Sequence, residues 1–247
     1  FLLTHPVTES RISDARARAY RYPGKDYYAN LEYQVMRARV VAHYAVNKSA
    51  LVNEYRQLLE DSSSPFTLDV NRYALAVAYY ENEQYNLASQ TLTPLLDKDP
   101  NRISYAVTQA EILTAQNEPG QSLNFLQRHL EINPDNHPLT MAAVDALTEA
   151  RSYGEAAQLM ERHIQQRPND DQLWFRLSET QGQAGNISEV HKARAEYFRL
   201  LGDYLSSRQQ LQFALRIETE NGAAPAEAAR LRQRIREVEE LAREQRG

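Results

Sequence analysis

The 247-residue sequence contains no cysteine, which excludes disulfide bonds, a thiolate nucleophile and cysteine-ligated zinc. Glycine and proline are also scarce, with 8 and 10 residues, and β-branched residues rarely alternate at period two. A chain with these properties does not favour sheets. No apolar run approaches the ~18 residues of a membrane span. The net charge of −5 gives no basic face for nucleic acid. The abundant aliphatic, alanine and aromatic residues therefore predict a packed all-α fold.

Sequence motifs for catalysis are absent as well. The chain has no His-Glu-x-x-His motif, no Gly-x-Gly-x-x-Gly loop, and no pattern that orders Ser, His and Asp into a triad. Two of its six histidines, His129 and His163, lie 34 residues apart, which indicates one structural position in a repeat. The sequence therefore predicts that this chain by itself has no catalytic site, no metal site and no cofactor.

Three prolines reveal an internal repeat. Pro100, Pro134 and Pro168 follow one another at intervals of 34 residues, and each ends a similar polar phrase. A fixed period of 34 is typical of the tetratricopeptide repeat, a helix–turn–helix unit. A single helical hairpin cannot bury its apolar stripe, so several must stack into a solenoid. We predict four to five stacked hairpins.

The repeat divides the chain. Residues 65–220 form the predicted repeat array, and residues 23–64 form a divergent first hairpin, since terminal repeats are usually atypical. Residues 221–247 form a charged helix with a narrow apolar stripe, which we expect to cap the last hairpin.

The repeat slips by half a period near its end. Gly185 and Gly202 both occupy the turn within a hairpin, yet they are only 17 residues apart. The simplest interpretation is that helix 187–201 closes the fourth unit and also opens a fifth. The alternative is the loss of one helix and irregular packing.

Leading helices of such repeats line a concave inner surface, and their positions recur at 34-residue intervals. One row is apolar and aromatic, and the next carries acidic residues through its middle. We predict a groove that binds an extended or helical protein segment with apolar anchors. In the other interpretation, the acids are a solvated face and the apolar row packs between repeats. The residues assigned to the groove are Val70, Tyr73, Val77, Tyr80, Val107, Glu111, Met141, Asp145, Phe175 and Glu179.

Residues 1–22 are not a repeat. Leu3-Thr4-His5-Pro6, followed by Glu9, Arg11 and Ile12, resembles the segment that closes the M48-type zinc metallopeptidase domain. Joined to tetratricopeptide repeats, this segment is similar to periplasmic M48 peptidases of Gram-negative bacteria, the BepA/YfgC-like proteins. On this resemblance residues 1–22 are the C-terminal tail of a peptidase domain, and the chain, which does not begin with Met, is part of a longer protein.

The resemblance implies a zinc metalloendopeptidase as the parent, with its His-Glu-x-x-His motif upstream of Phe1. It implies a periplasmic location and protein partners, either outer-membrane protein substrates or the machinery that assembles them. His5 is a candidate regulatory zinc ligand in the intact enzyme, and the alternative is that His5-Pro6 shapes a turn. A different class of function also remains open, namely a stand-alone repeat scaffold or co-chaperone without an attached enzyme.

Overall fold

A computed structural model describes residues 9–20, 30–222 and 224–245. This part of the chain contains thirteen α-helices and no strand, which confirms the all-α prediction. The helices are α1 (Glu9–Ala19), α2 (Leu31–Tyr44), α3 (Lys48–Glu60), α4 (Pro65–Glu81), α5 (Tyr85–Lys98), α6 (Ile103–Ala115), α7 (Pro119–Ile132), α8 (His137–Glu149), α9 (Tyr153–Ile164), α10 (Asp171–Gln183), α11 (Ile187–Leu200), α12 (Tyr204–Glu220) and α13 (Pro225–Glu244).

Local sequence explains where many helices begin. Ser64 caps α4 through a reciprocal capping box with Thr67, and Pro65 occupies the first turn, where its missing amide proton costs nothing. Five other helices begin after an Asn or Asp whose side chain accepts a hydrogen bond from a backbone amide in the first turn. These caps are Asn30, Asn47, Asn136, Asp170 and Asp203.

The turns within the four hairpins from α4 to α11 share one backbone geometry at 34-residue intervals. Each contains a residue with positive φ, between 58° and 79°. The amide of the next residue then donates to a carbonyl five positions earlier, as Gln84 does to Tyr79 at 2.9 Å. The left-handed residue and this hydrogen bond together terminate the first helix of the hairpin. The positive-φ residues are Glu83, Asn117, Arg151 and Gly185.

The helices stack as consecutive antiparallel hairpins. In the part of the chain that the structure describes, the hairpins α4/α5, α6/α7, α8/α9 and α10/α11 follow one another, and each trailing helix also packs against the next leading helix. Helices α2 and α3 precede them, and each packs against α4. Apolar side chains between successive helices form clusters along the array, with Leu92, Leu126 and Met160 at one repeat position in three successive units. The predicted tetratricopeptide solenoid is therefore confirmed.

The half-period slip has the packing that the glycine spacing predicts. Helix α11 contacts both α10 and α12. Its turn into α12 repeats the geometry found within hairpins, since Gly202 has φ 76° and the amide of Asp203 donates to Phe198 O at 2.9 Å. Ser207 Oγ on α12 donates to Ala195 O on α11 at 2.8 Å, as Ser122 on α7 does to Ala110 O on α6 at 2.9 Å. Helix α11 is thus the second helix of the hairpin α10/α11 and also the first helix of the hairpin α11/α12.

The two ends of the array differ. Helix α13 packs against α12 and buries Leu231 and Val238 there, which gives the array a C-terminal cap. The described side chains of α1, from Arg11 onward, are exposed. Among the described residues, no helix combines the length and the apolar character needed to cross a bilayer.

Candidate protein-binding groove

Two adjoining clefts lie between the leading helices. The first, of about 320 Å³, lies between α2, α4 and α6, and its walls include Val40 and Tyr44. The second, of about 330 Å³, lies between α4, α6 and α8, and Asp145 lies in its wall. Both clefts are lined by Tyr80 and Glu111, so they form one continuous surface, which we call the inner groove.

Arg39 on α2 fixes the first cleft. Its guanidinium donates to both carboxylate oxygens of Glu111 on α6, at 2.9 and 2.6 Å, and to the hydroxyl of Thr108 at 2.9 Å. A bidentate ion pair of this kind restricts the orientation of both side chains more strongly than a single hydrogen bond does. The phenol oxygen of Tyr73 lies 2.8 Å from the same Thr108 hydroxyl, so α2, α4 and α6 meet in one polar network.

Burial and charge shift the pKa values in this network. Burial opposes the charge of Arg39, but the hydrogen bond and the negative charge of Glu111 outweigh it and raise the pKa of Arg39 above its ordinary value. Burial raises the pKa of Tyr73, and burial together with the charge of Glu111 raises the pKa of Tyr80. These phenols therefore stay neutral at physiological pH and act as hydrogen-bonding groups.

One residue assigned to the groove is a core residue instead. Tyr73 has 0 % of its surface exposed. Helix α2 packs against α4, and the ring of Tyr73 lies 5.5 Å from that of Tyr105 on α6. Tyr73 offers no surface to a partner, so its assignment to the groove is corrected. Val77 is 4 % exposed and contributes to the wall of the first cleft from within the core.

The other eight assigned residues keep some exposed surface. Val107 and Met141 are half-buried and pack against the core between repeats, as the second interpretation expected. Phe175 is 39 % exposed, and its ring lies 5.3 Å from that of Tyr197 on α11. Among the rest, Val70, Tyr80 and Glu111 are half-buried, whereas Asp145 and Glu179 are exposed.

The acidic row is largely neutralised by arginines. Glu111 pairs with Arg39, and Asp145 pairs with Arg176 on α10. Glu179 remains an exposed carboxylate. The groove therefore presents apolar and aromatic surface between paired charges more than it presents a continuous negative line.

The sequence rows could have been extended by one unit to find further groove residues. Arg39 lies 34 residues before Tyr73, and His43 lies 34 residues before Val77. Both line the first cleft. The 34-residue rows do not reach these two residues because the segment that contains them matches the repeat poorly. Glu149, which lines the second cleft, lies outside the rows altogether.

A pair of histidines lies outside the groove. His137 Nδ1 and His163 Nε2 are 3.0 Å apart and the rings stack at 5.2 Å. Burial, followed by nearby positive charge that includes Arg167, lowers the pKa of both. In the described part of the chain, no group of three or more His, Asp or Glu side chains has the arrangement to hold a metal ion. His5, the candidate regulatory zinc ligand, lies outside the described residues.

The repeated hairpins and the groove between leading helices define a tetratricopeptide-repeat protein. A solved tetratricopeptide repeat protein from Parabacteroides merdae ATCC 43184 superposes on 94 % of this chain and 91 % of its own, with a TM-score of 0.51 and 12 % identity. That likeness concerns the fold. No family model matches the sequence.

Curated relatives are more specific. The chain is 30 % identical over 204 residues to a putative beta-barrel assembly-enhancing protease of Vibrio cholerae. The matched region covers 82 % of this chain and 42 % of the relative. It is 26 % identical over 201 residues to the beta-barrel assembly-enhancing protease of Yersinia pestis, with coverage of 81 % and 41 %. The chain thus spans about two fifths of the length of these relatives. The resemblance inferred from the sequence is confirmed for that region.

Proposed function

We propose that this chain is the protein-binding module of a beta-barrel assembly-enhancing protease. In this proposal its inner groove holds segments of outer-membrane β-barrel proteins, or of the machinery that assembles them. The relatives' names supply the link to β-barrel assembly and to proteolysis. The observation that carries the proposal is the inner groove itself, because its two joined clefts keep apolar and aromatic side chains uncovered.

The groove suits the chemistry of an unassembled barrel strand. Such strands alternate apolar and polar side chains along a short segment. In the groove, Val40 and Tyr44 are 57 % and 77 % exposed, and Phe175 is 39 % exposed further along the array. A small number of such anchors dominates the binding energy of most interfaces. The carboxylates of the groove, which are paired with arginines, supply hydrogen-bonding partners. Because their charges are paired, the ligand need not be charged.

The longer protein carries the chemistry in this proposal. It contains an M48-type zinc peptidase portion that binds the catalytic zinc and acts in the periplasm. In this proposal the His-Glu-x-x-His motif lies in that portion, and this chain contributes substrate capture. The resemblance of residues 1–22 and the relatives' names support this division.

The proposal is tested with a purified outer-membrane β-barrel protein, labelled with a fluorophore, denatured in urea and diluted into the chain. Val40→Ala and Tyr44→Ala should each weaken binding about five- to thirtyfold, which is typical for the loss of an interface anchor. Leu87→Ala is the matched control, because Leu87 is also an exposed apolar side chain, at 41 %, but lies on the trailing helix α5.

Fluorescence anisotropy gives the affinities, and thermal melting checks that the variants fold. If binding survives both groove substitutions, or falls equally with Leu87→Ala, the inner groove is not the capture site.

A further inference from the structure

Two apolar furrows lie on the side of the array formed by trailing helices. The middle furrow, of about 520 Å³, lies between α7, α8 and α9. The distal furrow, of about 570 Å³, lies between α9, α10 and α11 and is also lined by α13. On α8, Ala143 and Leu147 line the furrow, whereas Met141 and Asp145 were assigned to the inner groove, so the two surfaces use different faces of that helix.

The furrows are equivalent features of the repeat. Eight of the residues that line the middle furrow have counterparts 34 residues later in the distal furrow. Because the same turn geometry and the same packing recur in each unit, the gap between successive trailing helices recurs as well. The lining pairs include Leu130 and Ile164, Ala143 and Leu177, Leu147 and Gln181, and Glu155 and Glu189.

The chain's own C-terminal helix lies along the distal furrow. Helix α13 contributes Arg230, Leu231 and Arg234 to its lining. Arg234 donates to both carboxylate oxygens of Glu196 on α11, at 2.8 and 2.7 Å. Leu231 is 5 % exposed. An amphipathic helix with a leucine between arginines therefore borders this type of surface, while it packs mainly against α12.

The middle furrow has the same apolar floor but no basic side chain in its lining. Leu130 and Leu159 are half-buried and form part of its walls, and the carboxylates of Glu131 and Glu155 are exposed at its rim. The described contact of the Glu131 carboxylate is a 3.3 Å hydrogen bond from Gln127. An apolar trough with two carboxylates at its edge complements a helix that carries leucines beside lysine or arginine.

We propose that the middle furrow is a second docking site, for an amphipathic helix of a partner protein with apolar anchors flanked by basic residues. The site is independent of the inner groove and of the function proposed for it.

The probe is a fluorescein-labelled, stapled helical peptide with leucines at i, i+4 and i+7 and lysines beside them. A companion peptide has glutamates in place of the lysines. With the full chain, the lysine peptide should bind at least about tenfold more tightly than the glutamate peptide. In the E131K/E155K variant its affinity should fall about tenfold, since two attractive contacts become repulsive.

Two controls keep the result specific. E54K/E60K makes the same charge change at exposed sites on α3 and should alter the affinity less than about twofold. Tyr44→Ala should leave peptide binding unchanged, even though it removes an exposed side chain from the first cleft of the inner groove. Equal binding to wild type and E131K/E155K would overturn the docking site, and loss of binding in Tyr44→Ala would assign the peptide to the inner groove and overturn it too.

Discussion

Arg39 on α2 and Glu111 on α6 are joined by two hydrogen bonds of 2.9 and 2.6 Å although they are 72 residues apart. The pair joins α2, which packs against α4, to α6 in the following hairpin. It ties α2 to the regular repeats and forms a wall of the inner groove. Side-chain exposures of 32 % and 25 % leave the pair partly shielded from solvent.

Breaking this pair should cost measurable stability. Arg39→Met removes the guanidinium and leaves a half-buried carboxylate without its partner, so we expect a loss of about 1–2 kcal/mol in the free energy of unfolding. The double variant R39M/E111Q should lose less than the sum of the two single variants, because neither charge is then left alone. Urea denaturation measures all four proteins. Additive losses would mean that the pair contributes no coupling.

Tyr73 should behave as a core residue. Tyr73→Ala empties a fully buried site, and we expect a loss of about 3–5 kcal/mol. Tyr73→Phe keeps the ring and removes the bond to Thr108, at a cost of about 1 kcal/mol. Denaturation together with the β-barrel binding assay separates the roles. A Tyr73→Phe protein that is fully stable but defective in binding would restore Tyr73 as a groove residue.

The turn at Gly185 should depend on its backbone conformation. Gly185 has φ 79° and a methyl group there would meet no atom within 4 Å, so Gly185→Ala should cost about 1 kcal/mol through backbone strain alone. Gly154 is the second residue of α9 and has equally open space, and Gly154→Ala should stabilise the protein by up to about 0.5 kcal/mol, since alanine favours the helical conformation. Opposite signs in thermal denaturation support this reading, and a stabilised Gly185→Ala variant contradicts it.

The paired histidines should make stability depend on pH. Because burial holds the pKa of His137 and His163 below the ordinary 6.5, the unfolded chain binds more protons than the folded chain as pH falls below that value. Stability should therefore decline on acidification from about pH 6.5 and level off below the folded pKa values. H137Q/H163Q should flatten this slope between pH 7 and pH 5, as measured by urea denaturation at each pH.

A slope that is unchanged in H137Q/H163Q would assign the acid sensitivity to other groups.

Sequence reasoning located the repeats more accurately than it located their surfaces. Pro100, Pro134 and Pro168 lie between hairpins, and Gly202 forms the turn that starts the extra half unit. These features are local, since they depend on backbone conformation and on helix ends. The status of Tyr73 was not local, because it depends on α2, whose sequence matches the repeat poorly. The sequence pattern does not predict the furrows for a related reason, since at least three helices contribute to the walls of each one.

The sequence by itself determined the helical hairpins, their 34-residue spacing, the half-period slip and the faces that leading helices turn inward. The physical reason is that helix periodicity and turn chemistry act over a few residues. Tertiary structure decided which inward side chains remain exposed, which carboxylates of the acidic row find an arginine, and which furrow α13 covers. Those outcomes depend on neighbours far apart along the chain, and the spacing of residues within one helix does not specify them.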